Sequence, residues 1–209
     1  MKVAKPLSAV VLLSGNGTTF ENLHKLSRGG ALALDIKGVL SSRPNAYGLK
    51  RARIAGVATN TVSRKDYTDA WSFSREVFRM LSAIKPELVI LAGFMSLLKL
   101  PERYLGRVIN IHPALLPKFG GKGMYGQHVH QAVLDSGDKK TGCSVHFVDN
   151  EYDHGPIILQ KKVAVEEGDT AQSLMERVQL VEREAFPEAI NMIADGRVKY
   201  EDGKAEFPD

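Results

Sequence analysis

The sequence has little of several features that would restrict its class. It holds one cysteine, Cys143, in 209 residues, so no disulfide can form within the chain and nothing requires an oxidising compartment. The early apolar run over residues 7–13 is much shorter than a membrane-spanning helix, and no small-residue cleavage site follows it. We therefore expect a cytoplasmic protein with no signal peptide and no membrane partner.

Long blocks of lysine or arginine are also lacking, and the formal net charge is only +4. Because nucleic-acid-binding surfaces normally need clustered basic residues, we expect no nucleic acid partner. The mild positive charge suits a small anionic substrate, and it equally suits a surface charge that only aids solubility. A content of 44% hydrophobic and 25% charged residues is typical of a globular protein with a real core.

Strand and helix patterns alternate along the first half of the chain. Buried strands are predicted over 7–13, 33–40, 87–92 and 107–111. Helices are predicted over 18–28, 44–55 and 66–84. This order predicts an α/β fold with a Rossmann-like, mostly parallel sheet and helices on both faces.

The second half has a different pattern. Residues 141–148 and 156–165 alternate like half-buried strands, which predicts antiparallel strands in the C-terminal half. Asp169 or Thr170 is expected to cap a final helix, which Pro187 should kink or restart. The polar tail from Glu201 is expected to fray. No repeat or linker divides the chain, so we expect a single domain over 1–209.

The segment SGNGTT at 14–19 lies between the first strand and the first helix. Glycines allow a close backbone approach to a ligand, and a helix start offers free N–H groups, so this turn suits a phosphate. It is neither a G-x-G-x-x-G fingerprint nor a P-loop. The alternative is a tight turn with a threonine cap.

Two polar residues end a strand that is otherwise apolar, in VINIHP at 108–113. Asn110 and His112 are two residues apart and therefore face the same side. They lie at the carboxyl end of a predicted parallel strand, where open α/β sheets bind ligands, and together they can stabilise an oxyanion. The alternative is that both side chains only satisfy the backbone of the proline-rich turn.

A second polar segment, GCSVHFVDNEYDHGPI at 142–157, places Ser144 and His146 on one face of a strand. The acids that follow are turn formers or, beside a histidine, a general base. Their spacing fits no common zinc pattern, so we expect no metal. Cys143 faces the other way and is interpreted as a small buried thiol.

Other charged side chains have two interpretations. Arginine and lysine residues can bind a carboxylate or a phosphate, or they are solvated surface charges. The candidates are Arg64, Arg103, Arg107 and Lys118. Three further histidines are interpreted as exposed helix or loop residues, namely His24, His128 and His130.

Together these segments resemble the glycinamide ribonucleotide formyltransferases, the folate-dependent enzymes of purine synthesis. The resemblance spans nearly the whole chain, and NIHPALLP with D-x-G-P-I is specific to transferases that use 10-formyltetrahydrofolate. The segments that carry it are SGNGTT at 14–19, AYGLKRARIAGV at 46–57, LAGFMSLL at 91–98, NIHPALLP at 110–117, GCSVHFVDNEYDHGPII at 142–158 and RVQLVERE at 177–184.

The resemblance implies roles for individual residues. The catalytic trio is matched by Asn110, His112 and Asp153. Contacts to the substrate's phosphate and ribose are matched by Gly15, Asn16, Gly17, Thr18, Thr19, Gln179 and Glu182. The folate pocket, including the region of its glutamate tail, is matched by Arg64, Phe94, Met95, Leu97 and Leu98. Supporting positions are Lys118, Ser144 and His146.

The resemblance further implies a reaction and its partners. The formyl group of 10-formyltetrahydrofolate, a co-substrate, would pass to the amine of 5'-phosphoribosylglycinamide, without a metal. About 1–108 would form a nucleotide phosphate-binding half, and about 109–209 a catalytic and folate-binding half. We expect a monomer or a weak homodimer that binds only these small molecules.

Some positions depart from the family, and two other functions remain open. Thr19 and Ser96 stand where many bacterial members have asparagine and arginine, which alters the phosphate loop and the rim of the folate pocket. A formyltetrahydrofolate hydrolase would use the same catalytic residues with water, but we expect no N-terminal regulatory domain because the first strand begins within ten residues. A non-catalytic nucleotide-binding sensor would leave Asn110, His112 and Asp153 unexplained.

Overall fold

The apolar segments of the sequence form one seven-stranded sheet in the computed structural model, which describes residues 5–208. The strand order is β3-β2-β1-β4-β5-β6-β7. The first five strands in this order, β3, β2, β1, β4 and β5, run parallel, whereas β6 pairs antiparallel with both β5 and β7. The strands are β1 Leu7–Leu13, β2 Leu34–Ser41, β3 Thr59–Thr61, β4 Leu88–Leu91, β5 Val108–His112, β6 Lys140–Phe147 and β7 Ile157–Ala164.

Helices cover the sheet on both faces, as the alternating pattern predicts. They are α1 Thr18–Arg28, α2 Tyr47–Ile54, α3 Ala70–Ile84, α4 Gln127–Ser136 and α5 Ala171–Ala194, with short 3-10 turns at Arg64–Asp66 and Glu102–Tyr104. Helices α1, α2 and α5 contribute to one apolar core, and α3 contributes to the other. Strand β1 serves both cores because Val11 and Leu13 face one side while Val10 and Leu12 face the other. None of the described helices is both long and apolar enough to cross a membrane.

Several predicted boundaries shift by a few residues, and the largest shift is at α3. The apolar spacing predicts this helix from residue 66, but it begins at Ala70. The side chain of Asp69 accepts a hydrogen bond from the backbone N–H of Ser72 at 2.8 Å. This N-cap starts the helix there, and the preceding residues form a 3-10 turn instead.

Pro187, which was predicted to kink or restart the last helix, does not restart it. Helix α5 begins after the Thr170 cap and continues without interruption through Pro187 to Ala194. A proline in a helix leaves the carbonyl four residues earlier, here that of Arg183, without its usual donor. The side-chain amide of Asn22, on α1, donates to that carbonyl at 3.1 Å. The lost helical hydrogen bond is thereby replaced by a bond between two helices.

The prediction that the tail frays from Glu201 is also wrong. Residues Lys199–Glu201 and Lys204–Glu206 pair as an antiparallel hairpin, β8 and β9. Tyr200 packs edge-on against Phe147 of β6, with ring centroids 5.4 Å apart. The hairpin is therefore held by apolar contact with the main sheet. The polar composition of the tail does not predict this contact.

The turn between β6 and β7 depends on a glycine. A Cβ atom on Gly155 would lie 2.0 Å from the carbonyl oxygen of Phe147, so the two backbone segments touch. We predict that Gly155→Ala lowers the free energy of unfolding by about 3 kcal/mol, because backbone must move to admit the methyl group. Urea denaturation measures this change.

Gly15→Ala is the matched control for this substitution. A Cβ atom on Gly15 would meet nothing within 4 Å. Its unfolding free energy should stay within about 1 kcal/mol of the parent. Equal stability of the two variants would contradict the close approach at Gly155.

Candidate active site

The register of β5 against β6 brings four polar side chains together. Asn110 lies opposite His146, and His112 lies opposite Ser144. Residues that face each other across an antiparallel pair share one face of the sheet, so the four side chains form a compact group. Alternation within β5 predicts that Asn110 and His112 face the same side, and alternation within β6 predicts the same of Ser144 and His146. The antiparallel pairing of the two strands brings these residues together.

Asp153 is the centre of this group. It lies in the loop after β6, and its backbone has a φ of 52°, an uncommon left-handed conformation for a residue other than glycine. One carboxylate oxygen accepts from the backbone N–H of Gly121 at 3.0 Å, and the other accepts from the amide of Asn110 at 3.3 Å. The carboxylate also lies 3.5 Å from Nδ1 of His112. The fold thus brings together the three residues of the predicted catalytic trio.

His146 orients the amide of Asn110. Its Nδ1 donates to the carbonyl of Phe147 at 2.8 Å, which leaves Nε2 as an acceptor in the neutral ring. Burial lowers the pKa of His146, with a smaller opposing effect of the nearby Asp153 carboxylate. The amide nitrogen of Asn110 lies 3.1 Å from Nε2 and donates to it. His146 and Asp153 therefore hold the amide nitrogen toward the interior of the group.

His112 and Ser144, the other two members of the group, hold the turn that follows β5. Nε2 of His112, a residue only 3% exposed, donates to the carbonyl of Phe119 at 2.8 Å. The hydroxyl of Ser144 accepts from the backbone N–H of Leu116 at 2.9 Å and donates to the carbonyl of Ala114 at 2.7 Å. Ser144 thus stabilises the proline-rich turn that follows β5.

The group opens into a cleft with a volume of about 560 Å³. Asn110, His112 and Asp153 lie on its wall. Apolar and aromatic side chains from the loop of Asp153 and from three other segments extend the lining. Among them are Phe94, Met95, Met124, Tyr125, Tyr152 and Met175. A mostly apolar cleft with a few converging polar groups is the usual form of a small-molecule site.

A smaller cavity of about 110 Å³ continues the cleft at the N-terminus of α1. Gly17 caps this helix in a left-handed conformation, with a φ of 72° and no side-chain hydrogen bond. The first turn therefore keeps free N–H groups, which attract an anion. The side chains that line this cavity include Thr18, Thr19, Gln179 and Glu182. Three of these four, all but Thr18, also line the main cleft.

Comparison with known proteins identifies the family of this site. The family described as formyl transferase matches residues 7–190. The chain is 38% identical, over 95% of its length, to the phosphoribosylglycinamide formyltransferase of Escherichia coli K12, of which 92% is covered. The chain belongs to the formyl transferase family.

Solved structures in the same family have the same architecture. The crystal structure of glycinamide ribonucleotide transformylase 1 from Symbiobacterium toebii superposes with a TM-score of 0.89 at 37% identity, covering 98% of this chain and 95% of that one. A formyltetrahydrofolate deformylase from Pseudomonas syringae superposes with a TM-score of 0.84 at 25% identity, covering 99% of this chain and 67% of that one. The family fold therefore carries more than one formyl-group chemistry.

Other predicted site residues in this formyl transferase have local partners. The carbonyls of Gly15 and Asn16 accept from the backbone of Gly48 and the side chain of Arg51, so they stabilise the loop rather than face the cleft. Arg64 donates to the carbonyl of Tyr67 at 2.6 Å and lies over the ring of Phe73.

Four more of the predicted residues lie outside the cleft lining. Leu98 is buried in the core beside α3, and Leu97 is half-buried next to it. Lys118 pairs with Asp138 at 2.8 Å on the surface. Arg107 donates to the carbonyl of Pro86 at 2.6 Å, and so holds the start of β4. None of these four side chains lines the cleft, and Arg107 lies at the opposite end of the strands.

One lining residue contradicts its predicted exposure. His130 is only 1% exposed, it lines the cleft, and its Nδ1 has no hydrogen-bond partner among residues 5–208. Burial, and to a smaller extent the nearby His112, lower the pKa of His130 to about 4, so the ring is neutral at pH 7. The buried stripe of α4, with Val129 and Val133 beside it, was the signal in the sequence. His128 is exposed as predicted, and His24 is half-buried.

One further group, the thiol of Cys143, has no assigned chemistry. Cys143 is fully buried in the core, and burial raises the pKa of its thiol to about 12, as an inert thiol requires. Within residues 5–208, no cluster of three or more histidine, cysteine or acidic side chains has the geometry to hold a metal ion.

Glu182 carries a charge that is poorly solvated. Although its residue is only half-buried, desolvation raises the pKa of its carboxyl to about 7. Because this pKa is above the ordinary value of 4.5, the ionised form costs stability, and that cost grows as the pH rises from 4.5 to 7. We predict that the unfolding free energy of Glu182→Gln, measured relative to the parent, rises by about 3 kcal/mol between pH 4 and pH 8.

Unfolding in urea at both pH values measures this effect. Glu184→Gln, two residues along the same helix and exposed, is the control and should change by less than about 1 kcal/mol between the two pH values. A Glu182→Gln difference that does not depend on pH would show that the carboxyl is already solvated in the folded protein.

Proposed function

We propose that this protein transfers the formyl group of 10-formyltetrahydrofolate to the amine of 5'-phosphoribosylglycinamide, a step of purine biosynthesis. The observation that carries the proposal is the continuity of the two cavities. Asn110, His112 and Asp153 lie in a folate-sized apolar cleft, which leads into a polar cavity at the N-terminus of α1. An enzyme that joins a folate-bound formyl group to a phosphate-bearing amine needs both compartments.

The reaction forms one carbon–nitrogen bond and breaks another. The neutral amine attacks the formyl carbon and gives a tetrahedral intermediate with an oxyanion, after which the bond to N10 breaks. The amine proton passes to Asp153, through a water where needed, and Asp153 then delivers that proton to the leaving N10, which regenerates the carboxylate. The carboxylate of Asp153 already faces the cleft, so it is placed for this exchange.

Asn110 and His112 are the donors proposed for the oxyanion. In the free protein the amide of Asn110 donates to Asp153 across 3.3 Å, a long bond that is easily exchanged. His112 donates through Nε2 to the Phe119 carbonyl, while its Nδ1 faces the carboxylate of Asp153. Binding of the formyl donor would exchange these internal acceptors for the developing oxyanion, whose charge makes it the stronger acceptor.

The polar cavity is proposed to hold the phosphate and ribose of the nucleotide. Free N–H groups and the helix dipole attract the phosphate, and Gln179 and Glu182 offer hydrogen bonds to hydroxyl groups. Anchoring this remote end holds the amine in an attack geometry. Because Thr18 and Thr19 lie in the first half of the chain and Gln179 and Glu182 in the second, both halves serve this ligand.

The apolar part of the cleft is proposed to hold the folate. Phe94 and Met95 follow β4, and Met124 and Tyr125 face the same cleft from the glycine-rich loop. Sulfur and aromatic groups suit a flat heteroaromatic ring, and they leave polar recognition to backbone groups nearby. His130 adds a neutral ring nitrogen that needs a partner, which a bound ligand or a water would supply.

Hydrolysis of the formyl folate is the second candidate, since a deformylase has the same fold. The polar cavity favours the transferase because water as acceptor would need no anion site. The two functions are separated by measuring formyl loss from the folate, by its absorbance, with and without the nucleotide. Nucleotide-dependent loss supports the transferase, and an equal rate without the nucleotide would establish the hydrolase instead.

The proposed mechanism predicts the effect of three substitutions. Asp153→Asn, Asn110→Ala and His112→Ala should each lower kcat by about 100- to 1,000-fold, because each removes the proton acceptor or an oxyanion donor. Steady-state formyl transfer measures the loss, and unfolding curves establish that each variant is folded.

Asp149→Asn is the matched control. Asp149 lies in the same loop as Asp153, but its carboxylate bonds to Glu151 and His154 at the surface. This variant should keep nearly full activity. Near-normal turnover in Asp153→Asn would rule out the proposed mechanism.

The proposed nucleotide cavity makes a separate prediction. Thr19→Val and Gln179→Ala should raise the KM for the nucleotide about tenfold, since each loses a hydrogen bond to a charged or polar group, and leave the KM for the folate nearly unchanged. These sites are better choices than Gly17, where a Cβ atom would lie 2.5 Å from the Gly48 backbone and disturb the loop itself. Equal changes in both KM values would argue against a phosphate role.

A further inference from the structure

One buried polar atom at the cleft lacks a partner. Within residues 5–208, two buried side-chain polar atoms have no hydrogen-bond partner, namely Nδ1 of His130 and the hydroxyl oxygen of Thr141. Of these two residues, His130 lines the cleft and Thr141 does not. A buried polar atom that is left unpaired lowers the stability of a folded protein, and native proteins contain few of them. At His130 the cleft offers a partner, because a bound molecule can supply one.

Packing holds the His130 ring in place without using its nitrogen. The residue is only 1% exposed and lies near the start of α4. Val129 and Val133 of the same helix are fully buried beside it. An apolar side chain of similar size would fill this space and leave no polar atom unpaired. The fold therefore fixes the position of Nδ1, but it does not need a nitrogen there.

Helix α4 adjoins both compartments of the site. It packs against α5, and the side-chain amide of Gln127 donates to the side chain of Gln172 on α5 at 2.7 Å. The same α5 lines the polar cavity through Gln179. His130 itself lies near His112 of β5, and both line the cleft. A nucleotide with its phosphate in the polar cavity and its amine at the catalytic trio therefore extends past this part of α4.

The direction of attack of an amine depends on its hydrogen bonds. A neutral primary amine has two N–H groups and one lone pair in a roughly tetrahedral arrangement. When both N–H groups donate to fixed acceptors, the lone pair keeps a single direction, and such orientation is a large part of catalysis. In the proposed reaction Asp153 accepts one of the two protons. The second N–H needs another acceptor on the wall of the cleft.

We propose that Nδ1 of His130 is this second acceptor and that it orients the amine of the bound nucleotide for attack on the formyl carbon. The inference rests on the proposed function, which brings this amine to Asp153. In the tautomer that carries its proton on Nε2, a neutral imidazole accepts through Nδ1. His130 is thus a positioning residue, and the transferred proton still passes to Asp153.

The neutral state of the ring suits this role. Burial, and to a smaller extent the nearby His112, lower the pKa of His130 to about 4. At neutral pH the ring therefore keeps one nitrogen with a free lone pair. A protonated ring would have two donors and no acceptor, so it could not receive a hydrogen bond from the amine.

Nitrogen NMR of the whole protein tests this contact without catalysis. The six histidines are labelled with ¹⁵N, and the signal of His130 is assigned by its loss in His130→Leu. At a saturating concentration, the nucleotide alone should shift the Nδ1 signal toward that of a hydrogen-bonded acceptor. An analogue with hydrogen in place of the amine should leave the signal unchanged. Equal shifts with both compounds would overturn the proposal, as would no shift with either.

Kinetics separate positioning from a packing role. His130→Leu should lower kcat about tenfold, the loss expected for one hydrogen bond between polar groups, and leave the KM for the folate nearly unchanged. In urea it should be at least as stable as the parent, because it removes an unpaired buried atom.

Two conservative variants locate the nitrogen that matters. His130→Asn keeps a polar atom near the position of Nδ1 and should recover part of the lost kcat. His130→Gln places its polar atoms nearer the position of Nε2 and should not recover it. Equal losses in the leucine, asparagine and glutamine variants would overturn the proposal, and so would a loss that appears only in the KM for the folate.

Gln131→Leu is the matched control. Gln131 is exposed on the same helix, and its side chain donates to Asp135 at 2.8 Å. This variant should keep the kcat of the parent. Full turnover in His130→Leu would overturn the role of His130 and leave the proposed function intact. An amine-dependent shift at Nδ1 in a parent that transfers no formyl group would overturn the proposed function and leave the amine contact standing.

Discussion

The antiparallel pairing of β6 with β5 is the constraint on which the site depends. It sets Asn110 against His146 and His112 against Ser144, and β6 ends beside the start of β5, where the backbone N–H of Val148 donates to the carbonyl of Val108. From the loop that follows, Asp153 turns back to Asn110 and His112 of β5 and lies 3.8 Å from His146 of β6. Its left-handed backbone is a strained conformation that the surrounding hydrogen bonds must hold, which links local strain to the placement of its carboxylate.

Helix α5 gives the site its second compartment. Its uninterrupted passage through Pro187 depends on the hydrogen bond from Asn22 of α1, and the same two helices line the polar cavity. Packing between α1 and α5 therefore does more than bury apolar surface. It places Gln179 and Glu182 beside the free N–H groups of the α1 start, and the desolvation that raises the pKa of Glu182 to about 7 follows from that packing.

The loop after β4 lies between two surfaces of different character. The side that carries Phe94 and Met95 faces an apolar cleft, and the end that carries Lys99 faces a cationic groove. The loop is held against α3 by the bond from the Lys99 backbone to Ser74 and by the stacking of Phe73 on Phe94.

The sequence by itself determined the sheet, most of its helices and the main candidates for chemistry. Apolar runs and alternation depend on local spacing, and so do the pairs Asn110 with His112 and Ser144 with His146. Only the tertiary structure decided what depends on distant contacts: the approach of Asp153 to β5, the burial of His130, the donor that carries α5 through Pro187 and the docking of the C-terminal hairpin on Phe147. The reason is physical, because hydrogen bonds and burial across the fold override local propensity, and a single sequence does not display its partners.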